Sequence, residues 1–411
     1  MPLPAVRPPL SSESLRPIPQ GRGSTQTDVR AHNERLLLSL IRRHGSLTKA
    51  EIARLTSLSS QTISVIIRKL EEEGLLQRGD LQRGRIGQPS TPMALAADGV
   101  LSFGLKIGRR SAEMVLMDFV GNVRDVVQLT YTWPLPAAMV DFARKAAAGM
   151  MRRLSHRERN RIAGMGIATP LQLWKWRERV GVTAADMDAW HDADLTALLA
   201  DEFPFPIFQQ KDATAACSAE FVFGRGSEFK NFLYIFIGFF VGGGIVLNGA
   251  LFPGSSGNAG AIGTLPVTRD DQSAAQLIDT ASIFGLEADI KAAGLDPSPL
   301  WTEPDGWSKF TPFNDAWIAT IAPHLARAIL AGCSIIDFEA AIIDGDFPAD
   351  IRARIVQAVS AAMETFDLEG IAPPAIVEGC VGRQARAVGG ACLPLFDRYI
   401  LSSTPFVNEI E

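Results

Sequence analysis

The sequence predicts a two-lobed α/β body behind an N-terminal winged helix-turn-helix. Three observations carry this reading. Residues 28–96 contain helical apolar periods, two capping signals and a basic hairpin. From about Val100 three strand-like segments run in succession and give way to alternating strands and helices. That pattern then occurs a second time, which suggests two lobes with a ligand cleft between them as the default site.

The bulk composition is compatible with this size of structure. A chain of 411 residues suggests about two to three domains. Its hydrophobic share of 47% and charged share of 21% are those of a globular protein with a sizeable core. Cys217, Cys333, Cys380 and Cys392 lie far apart and form no CxxC or CxxH pair. This argues against a disulfide framework and structural zinc, and for reduced thiols in a cytoplasmic protein. The opening "MPLPAVRPPLSSESLRPIPQ" has no apolar core of a signal peptide, and its Pro and Ser content reads as a disordered tail over residues 1–27. Charge is uneven. Residues 28–88 carry 11 Lys/Arg against 7 Asp/Glu, whereas the whole chain has a net charge of −5. A basic front on an acidic body places any polyanion at the front.

In the N-terminal module, Leu36, Leu37, Leu40 and Ile41 fall at helical spacing within residues 28–44. Thr48 followed by Glu51 is a capping box, with Ala50, Ala53 and Leu58 as a small apolar set. Ser59 caps the next helix, in which Ile63, Ile66, Ile67 and Leu70 recur at i, i+3, i+4 and i+7; Gly74 ends it. Its other face holds Gln61, Thr62, Ser64, Val65, Arg68 and Lys69. A two-stranded wing follows, with Arg83 and Arg85 in its turn. This order is that of a winged helix-turn-helix, and the polar face suits base edges and phosphates. The expected DNA-contacting residues are Ser59, Gln61, Thr62, Ser64, Val65, Arg68, Arg83 and Arg85.

In the body (residues 97–411), strands are expected at 100–108, 112–121, 123–133, 161–168, 205–210, 338–345 and 374–379. Helices are expected at 137–154, 192–203, 213–224, 272–293, 313–336, within 350–366 and at 383–401. The uncharged stretch Asn231–Gly254 is too interrupted for a membrane helix, because Gly242, Gly243 and Gly244 stand together mid-run. Asn248-Gly249 is a hairpin signal, so strand, glycine loop and hairpin is the expected order. It is not a Walker loop, since no Gly-Lys-Ser/Thr follows.

Three segments in sequence order carry a family resemblance: "GLKIGRRSAEMVLMDFVGNV", "QQKDATAACSAE" and "GFFVGGGIVLNGALFPGSSGNAGAIGT". With the N-terminal module, residues 28–405 resemble the ROK family (repressor, open reading frame, kinase). The resemblance implies an actin/hexokinase-like sugar-kinase fold. It also implies that Asp212 stands at the catalytic base, although Asp212 begins a helix and an N-cap is the alternative.

Several positions depart from the family pattern. Lys106 stands where the first phosphate loop has a metal-holding carboxylate, and Arg109-Arg110 where it has Gly-Thr. The arginines could bind phosphate or form a solvated turn. Lys211 replaces an Asn that contacts sugar hydroxyls. Asp344-Gly345-Asp346 replaces a glycine-rich adenosine loop and reads as a solvated turn rather than an acid/base or metal pair. Phe239 and Phe240 crowd the second phosphate loop. Ala261 and Thr264 stand at the sugar-binding Glu and zinc-binding His, and no zinc ligand is retained. His32, His44, His156, His191 and His324 are scattered.

The expectation is therefore a DNA-binding repressor with no catalytic residue, metal or cofactor, in which Asp212 is a vestigial base. A sugar-like effector would be held by Asp212, Lys211, Gly257, Asn258 and Trp190, with a core position as the alternative for Trp190. The partners would be a pseudo-palindromic double-stranded operator and further copies of the chain, as homodimer or homotetramer, with no membrane. A bifunctional sugar kinase that also represses is the second reading.

Overall fold

The computed structural model describes residues 26–79, 91–170, 189–191, 193–269, 272–303 and 305–402. The first helix, α1 (Gln26–His44), begins two residues before the expected boundary and leads into β1 (Ser46–Leu47). Thr48 and Glu51 make both hydrogen bonds of the capping box at the start of α2 (Lys49–Thr56). Inside α2 the buried residues are Ile52 and Leu55, not Ala50. A left-handed Ser57 breaks the chain before α3 (Ser60–Glu72), where the Ser59 hydroxyl accepts from Thr62 N. Ile63, Ile66, Ile67 and Leu70 are buried as their spacing requires. β2 (Leu76–Arg78) and β3 (Met93–Leu95) pair antiparallel and complete a small sheet with β1.

The body contains two five-stranded sheets with the same internal order. In the first, β6 (Val123–Thr130), β5 (Ser111–Asp118) and β4 (Leu101–Ile107) form an antiparallel meander. β7 (Ile162–Thr169) and β8 (Ile207–Lys211) then add in parallel. In the second, β11 (Ala250–Leu251), β10 (Val241–Leu247) and β9 (Phe232–Ile237) form the meander, and β14 (Ala340–Gly345) and β15 (Ala375–Glu378) add in parallel. A small ribbon, β12 (Pro266–Thr268) with β13 (Ala274–Gln276), lies outside them. Residues 274–276 are thus strand, where a helix from 272 is expected. The helix begins only with α8 (Leu277–Thr280) and resumes as α9 (Ile283–Ala292).

Helices α4 (Pro136–Arg153), α5 (His156–Arg159) and α6 (Leu195–Ala200) belong to the first lobe, and α4 and α6 bury their apolar faces there. α10 (Pro299–Thr302), α11 (Thr311–Cys333) and α12 (Ala349–Met363) belong to the second. α11 is long and apolar enough to cross a bilayer, but Trp317, Ile321, Leu325 and Ile329 are buried in the second lobe's core.

Two helices occupy the centre: α7 (Asp212–Phe223) and α13 (Ala385–Arg398). They touch backbone to backbone. A Cβ on Gly389 would lie 1.7 Å from the Ala215 carbonyl oxygen. The glycine run of β10 serves the same close packing. Gly242–Gly244 sit within the strand rather than in a loop, paired with Phe236, Ile235 and Tyr234. A Cβ on Gly244 would meet the Cβ of Cys217 on α7 at 2.5 Å. The expected Asn248-Gly249 turn is present, with φ of 53° and 66° joining Leu247 to Ala250.

Candidate functional site

The exposed face of α3 presents Gln61, Val65 and Arg68 to solvent, with Thr62 and Ser64 partly exposed. Ser59 and Thr62 are already engaged in capping, their hydroxyls 2.9 Å apart. Lys69 belongs to the fold, since its ammonium lies 2.6 Å from Glu34 on α1. Arg83 and Arg85 lie outside the described residues.

The interlobe cleft is built from element ends. The N-terminus of α7 supplies Asp212, preceded by Lys211. The β4–β5 turn supplies Arg109, the β9–β10 turn Phe239 and Phe240, and α13 Arg386. With Ser256, Asn258 and Thr264 they line a cavity of about 380 Å³, within the range of small-molecule sites. The Asp212 carboxylate accepts from Ala213 N at 2.8 Å and lies 3.8 Å from Arg386, so it serves both helix start and cleft. Burial holds the Lys211 ammonium below its usual range, against the pull of Asp212.

The structure corrects four expectations here. Trp190 is a core residue: it is buried among the first-lobe apolar side chains, and its indole N–H donates to the Pro134 carbonyl at 2.6 Å. Gly257 is exposed at φ of 71° and does not line the cavity, although its neighbours Ser256 and Asn258 do. Arg109-Arg110 is not a solvated turn. Arg109 is buried, stacks on Trp133 at 3.4 Å and donates to the Thr132 carbonyl at 2.5 Å. Burial, and then Arg110, lowers it to about 10. Arg110 crosses between lobes to the buried Glu287 at 2.7 Å.

The fourth correction concerns Asp344 and Asp346, which are buried rather than solvated. Asp344 accepts from Gly382 N at 2.8 Å and Gly345 N at 2.9 Å, and pairs with Arg352 at 3.3 Å. Asp346 pairs with Arg386 at 2.5 Å. Burial opposes the charge on Arg386, but Asp346 and then Asp212 outweigh it and raise its pKa. The sequence signal for Arg386 was available: it is the one charge at the start of the otherwise apolar run "ARAVGGACLPLF", and a buried charge requires a partner.

This arrangement does not fit a magnesium nucleotide. The Lys106 ammonium, where a metal-holding carboxylate would be needed, donates to Ser111 Oγ at 2.9 Å. Glu287 and Arg110 already join the lobes at the mouth of the loop, and Asp346 is committed to Arg386. Phe239, Phe240 and Phe284 form an aromatic cluster beside it.

The two central helices connect the cleft to α1. Arg42 of α1 donates to the Val222 carbonyl in the last turn of α7. Arg35 of α1 donates to the carbonyls of Phe396, at 2.5 Å, and Ile400, at 2.9 Å, at the far end of α13. Ser39 Oγ accepts from Leu401 N at 2.9 Å. One apolar cluster runs continuously from Leu37, Leu40 and Ile41 to Val222, Leu395 and Phe396.

A winged-helix module joined in this way to a duplicated β-meander body with an interlobe cleft defines a transcriptional-regulator architecture built on an actin/hexokinase-like fold. Residues 102–276 match the ROK family, and residues 30–77 match winged helix-turn-helix DNA-binding domains. The chain thus carries a ROK family domain behind a winged helix-turn-helix DNA-binding domain. It is 21% identical over 378 residues to the DNA-binding transcriptional dual regulator NagC of Escherichia coli, spanning 89% of this chain and 88% of that one. Among solved structures, a ROK family transcriptional regulator homologous to E. coli MLC superposes with a TM-score of 0.64 at 17% identity, over 90% of this chain and 97% of that one. A ROK family glucokinase from Streptomyces griseus superposes with a TM-score of 0.56 at 22% identity, over 71% of this chain and 98% of that one.

Proposed function

We propose that this protein is a DNA-binding transcriptional regulator, acting as a repressor, whose catalytically degenerate sugar-kinase-like body senses a sugar-type effector. Residues 28–96 form its DNA-binding unit and 97–411 its sensing and oligomerisation unit. It works in the cytoplasm as a homodimer or homotetramer, so that paired α3 helices meet the half-sites of a pseudo-palindromic operator.

The observation that carries this reading is the double connection of α1. Each central helix begins in the cleft, at Asp212 or Arg386, and ends at carbonyls that α1 holds through Arg42 or Arg35. An effector that favours one lobe arrangement moves the starts of α7 and α13. Their ends then shift α1, and with it α3, which α1 holds through the Glu34–Lys69 pair. The change in DNA affinity is at most the effector's preference between the two arrangements. The names of relatives support the same assignment: other E. coli proteins as similar as NagC are N-acetylglucosamine repressors. The decisive experiment is a gel shift on the gene's own upstream region, at fixed salt, with and without a panel of sugars. The expected result is a specific complex that one sugar dissolves. The absence of a specific complex at that salt concentration would overturn the reading.

The second reading, a bifunctional kinase, is favoured by Asp212, which keeps the base position and faces the cleft. The misfit of the phosphate side to a magnesium nucleotide weighs against it.

A further inference from the structure

We propose that the effector is a hydroxylated anion, a sugar acid or sugar phosphate, selected by Lys211 and Arg109. This rests on the reading of the interlobe cleft as the sugar-type effector site. Among the described residues, the cavity is lined by three cationic side chains, Arg109, Lys211 and Arg386, and by one carboxylate, Asp212. Arg386 already has Asp346. Among the described residues, Arg109 and Lys211 have no carboxylate within 4.0 Å. The Arg109 side chain is 9% exposed; it holds the Thr132 carbonyl and the Trp133 ring, and its buried Nε has no acceptor among the described residues. Among those residues Lys211 Nζ reaches only the Gly243 carbonyl, at 3.5 Å.

Elsewhere in the cleft region Arg110 pairs with Glu287 and Arg352 with Asp344, while Lys106 donates to Ser111 and Arg383 to the Trp301 carbonyl, outside this cavity. Arg109 and Lys211 meet at the same cavity. Arg109 is buried and Lys211 half-buried; holding such charges from water without a counter-ion is unfavourable, and an arriving anion relieves it through charge-assisted hydrogen bonds. The rest of the lining is suited to a polyol rather than a bare ion. Asp212 accepts from hydroxyls. Asn258 and Ser256 both donate and accept. Thr264 gives its proton to the Ala261 carbonyl at 2.8 Å and so presents an acceptor. Phe236, Phe239 and Phe240 supply an apolar wall. A neutral hexose would use this wall and these hydroxyl partners and leave both cations unanswered.

The test is calorimetric titration of the full-length protein, at fixed ionic strength, with hexoses, the matching hexuronates, the matching hexose 6-phosphates and inorganic phosphate. The expected result is that a hexuronate or a hexose phosphate binds at least tenfold more tightly than its neutral parent. Lys211→Gln should lower that affinity at least tenfold and narrow the gap between the anionic sugar and its neutral parent. Arg109→Gln is the second variant should Lys211→Gln fail to fold. The carboxylate and phosphate arms distinguish the two sources of charge. A neutral hexose that binds as tightly as its anionic forms overturns the proposal and leaves the sugar-effector reading standing. Inorganic phosphate that matches the hexose phosphates overturns the hydroxylated part. Failure of every compound to bind overturns the sugar-effector reading itself.

Discussion

Arg42 of α1 donates a hydrogen bond to the carbonyl oxygen of Val222, in the last turn of the helix that Asp212 begins. A residue of the DNA-binding module is thereby fastened to the far end of an element whose near end faces the cleft. Arg35 makes the equivalent attachment to Phe396 and Ile400 at the end of α13. On the proposed reading, α1 follows whichever lobe arrangement α7 and α13 adopt.

Replacing both Arg35 and Arg42 by alanine should therefore uncouple the module. Operator affinity without effector is expected to stay within about tenfold of the parent, while the effector's ability to weaken it is largely lost. Anisotropy titrations with and without effector read both quantities. Each orphaned carbonyl costs about 1 kcal/mol, so denaturant unfolding should show a modest loss of stability as well. A double variant that still releases DNA normally would remove the proposed connection.

The outer face of α3 is expected to act without a stability role, since Gln61 and Arg68 are exposed. Gln61→Ala/Arg68→Ala should weaken specific DNA binding by about 1–3 kcal/mol per lost base contact and leave unfolding within about 0.5 kcal/mol. If Arg68 contacts phosphate instead, Arg68→Ala alone should reduce the salt slope of binding by about one. Binding that is unchanged in both affinity and salt dependence would exclude this face.

Lys106 gives a pH signature. Burial, and then Arg386, lowers its pKa from 10.5 to about 8. The unfolded chain thus holds this proton more tightly than the folded one. The resulting cost is fully present below about pH 8 and disappears as pH rises towards the unfolded value. Lys106→Met should raise stability near neutral pH by on the order of 1–3 kcal/mol, with a gain that shrinks as pH approaches 10.5. Urea unfolding of both proteins across that window checks it, and a pH-independent difference would contradict it.

Gly244→Ala should destabilise by about 1–3 kcal/mol, because the added methyl would lie 2.5 Å from the Cβ and 2.9 Å from the Sγ of Cys217, so that β10 or α7 must shift. Thermal unfolding measures it. The contrast is Gly285→Ala, where nothing lies within 4 Å of the new atom and little change is expected.

Incubation with magnesium, ATP and a panel of sugars should give no phosphoryl transfer. Lys106→Asp should not restore it, because Arg110–Glu287 and the phenylalanine cluster still occupy the phosphate side. Turnover abolished by Asp212→Asn would establish the kinase reading instead.

The sequence by itself determined the features whose energetics are local. The Thr48–Glu51 box, the Ser59 cap, the isoleucine period of α3 and the Asn248-Gly249 turn each depend on residues within a few positions of one another. The order of strands and helices, and the family resemblance, were legible for the same reason. What only the tertiary structure decided depends on residues far apart in the chain. Burial of Asp344 and Asp346 follows from Arg352 and Arg386, Arg110 finds Glu287, and Trp190 finds Pro134. A charged or aromatic side chain reads the same in sequence whether it faces water or a partner. Only the packing of the two lobes, which sets the cost of leaving a charge unpaired, assigns Arg386 to a structural pair and leaves Lys211 and Arg109 facing the cleft.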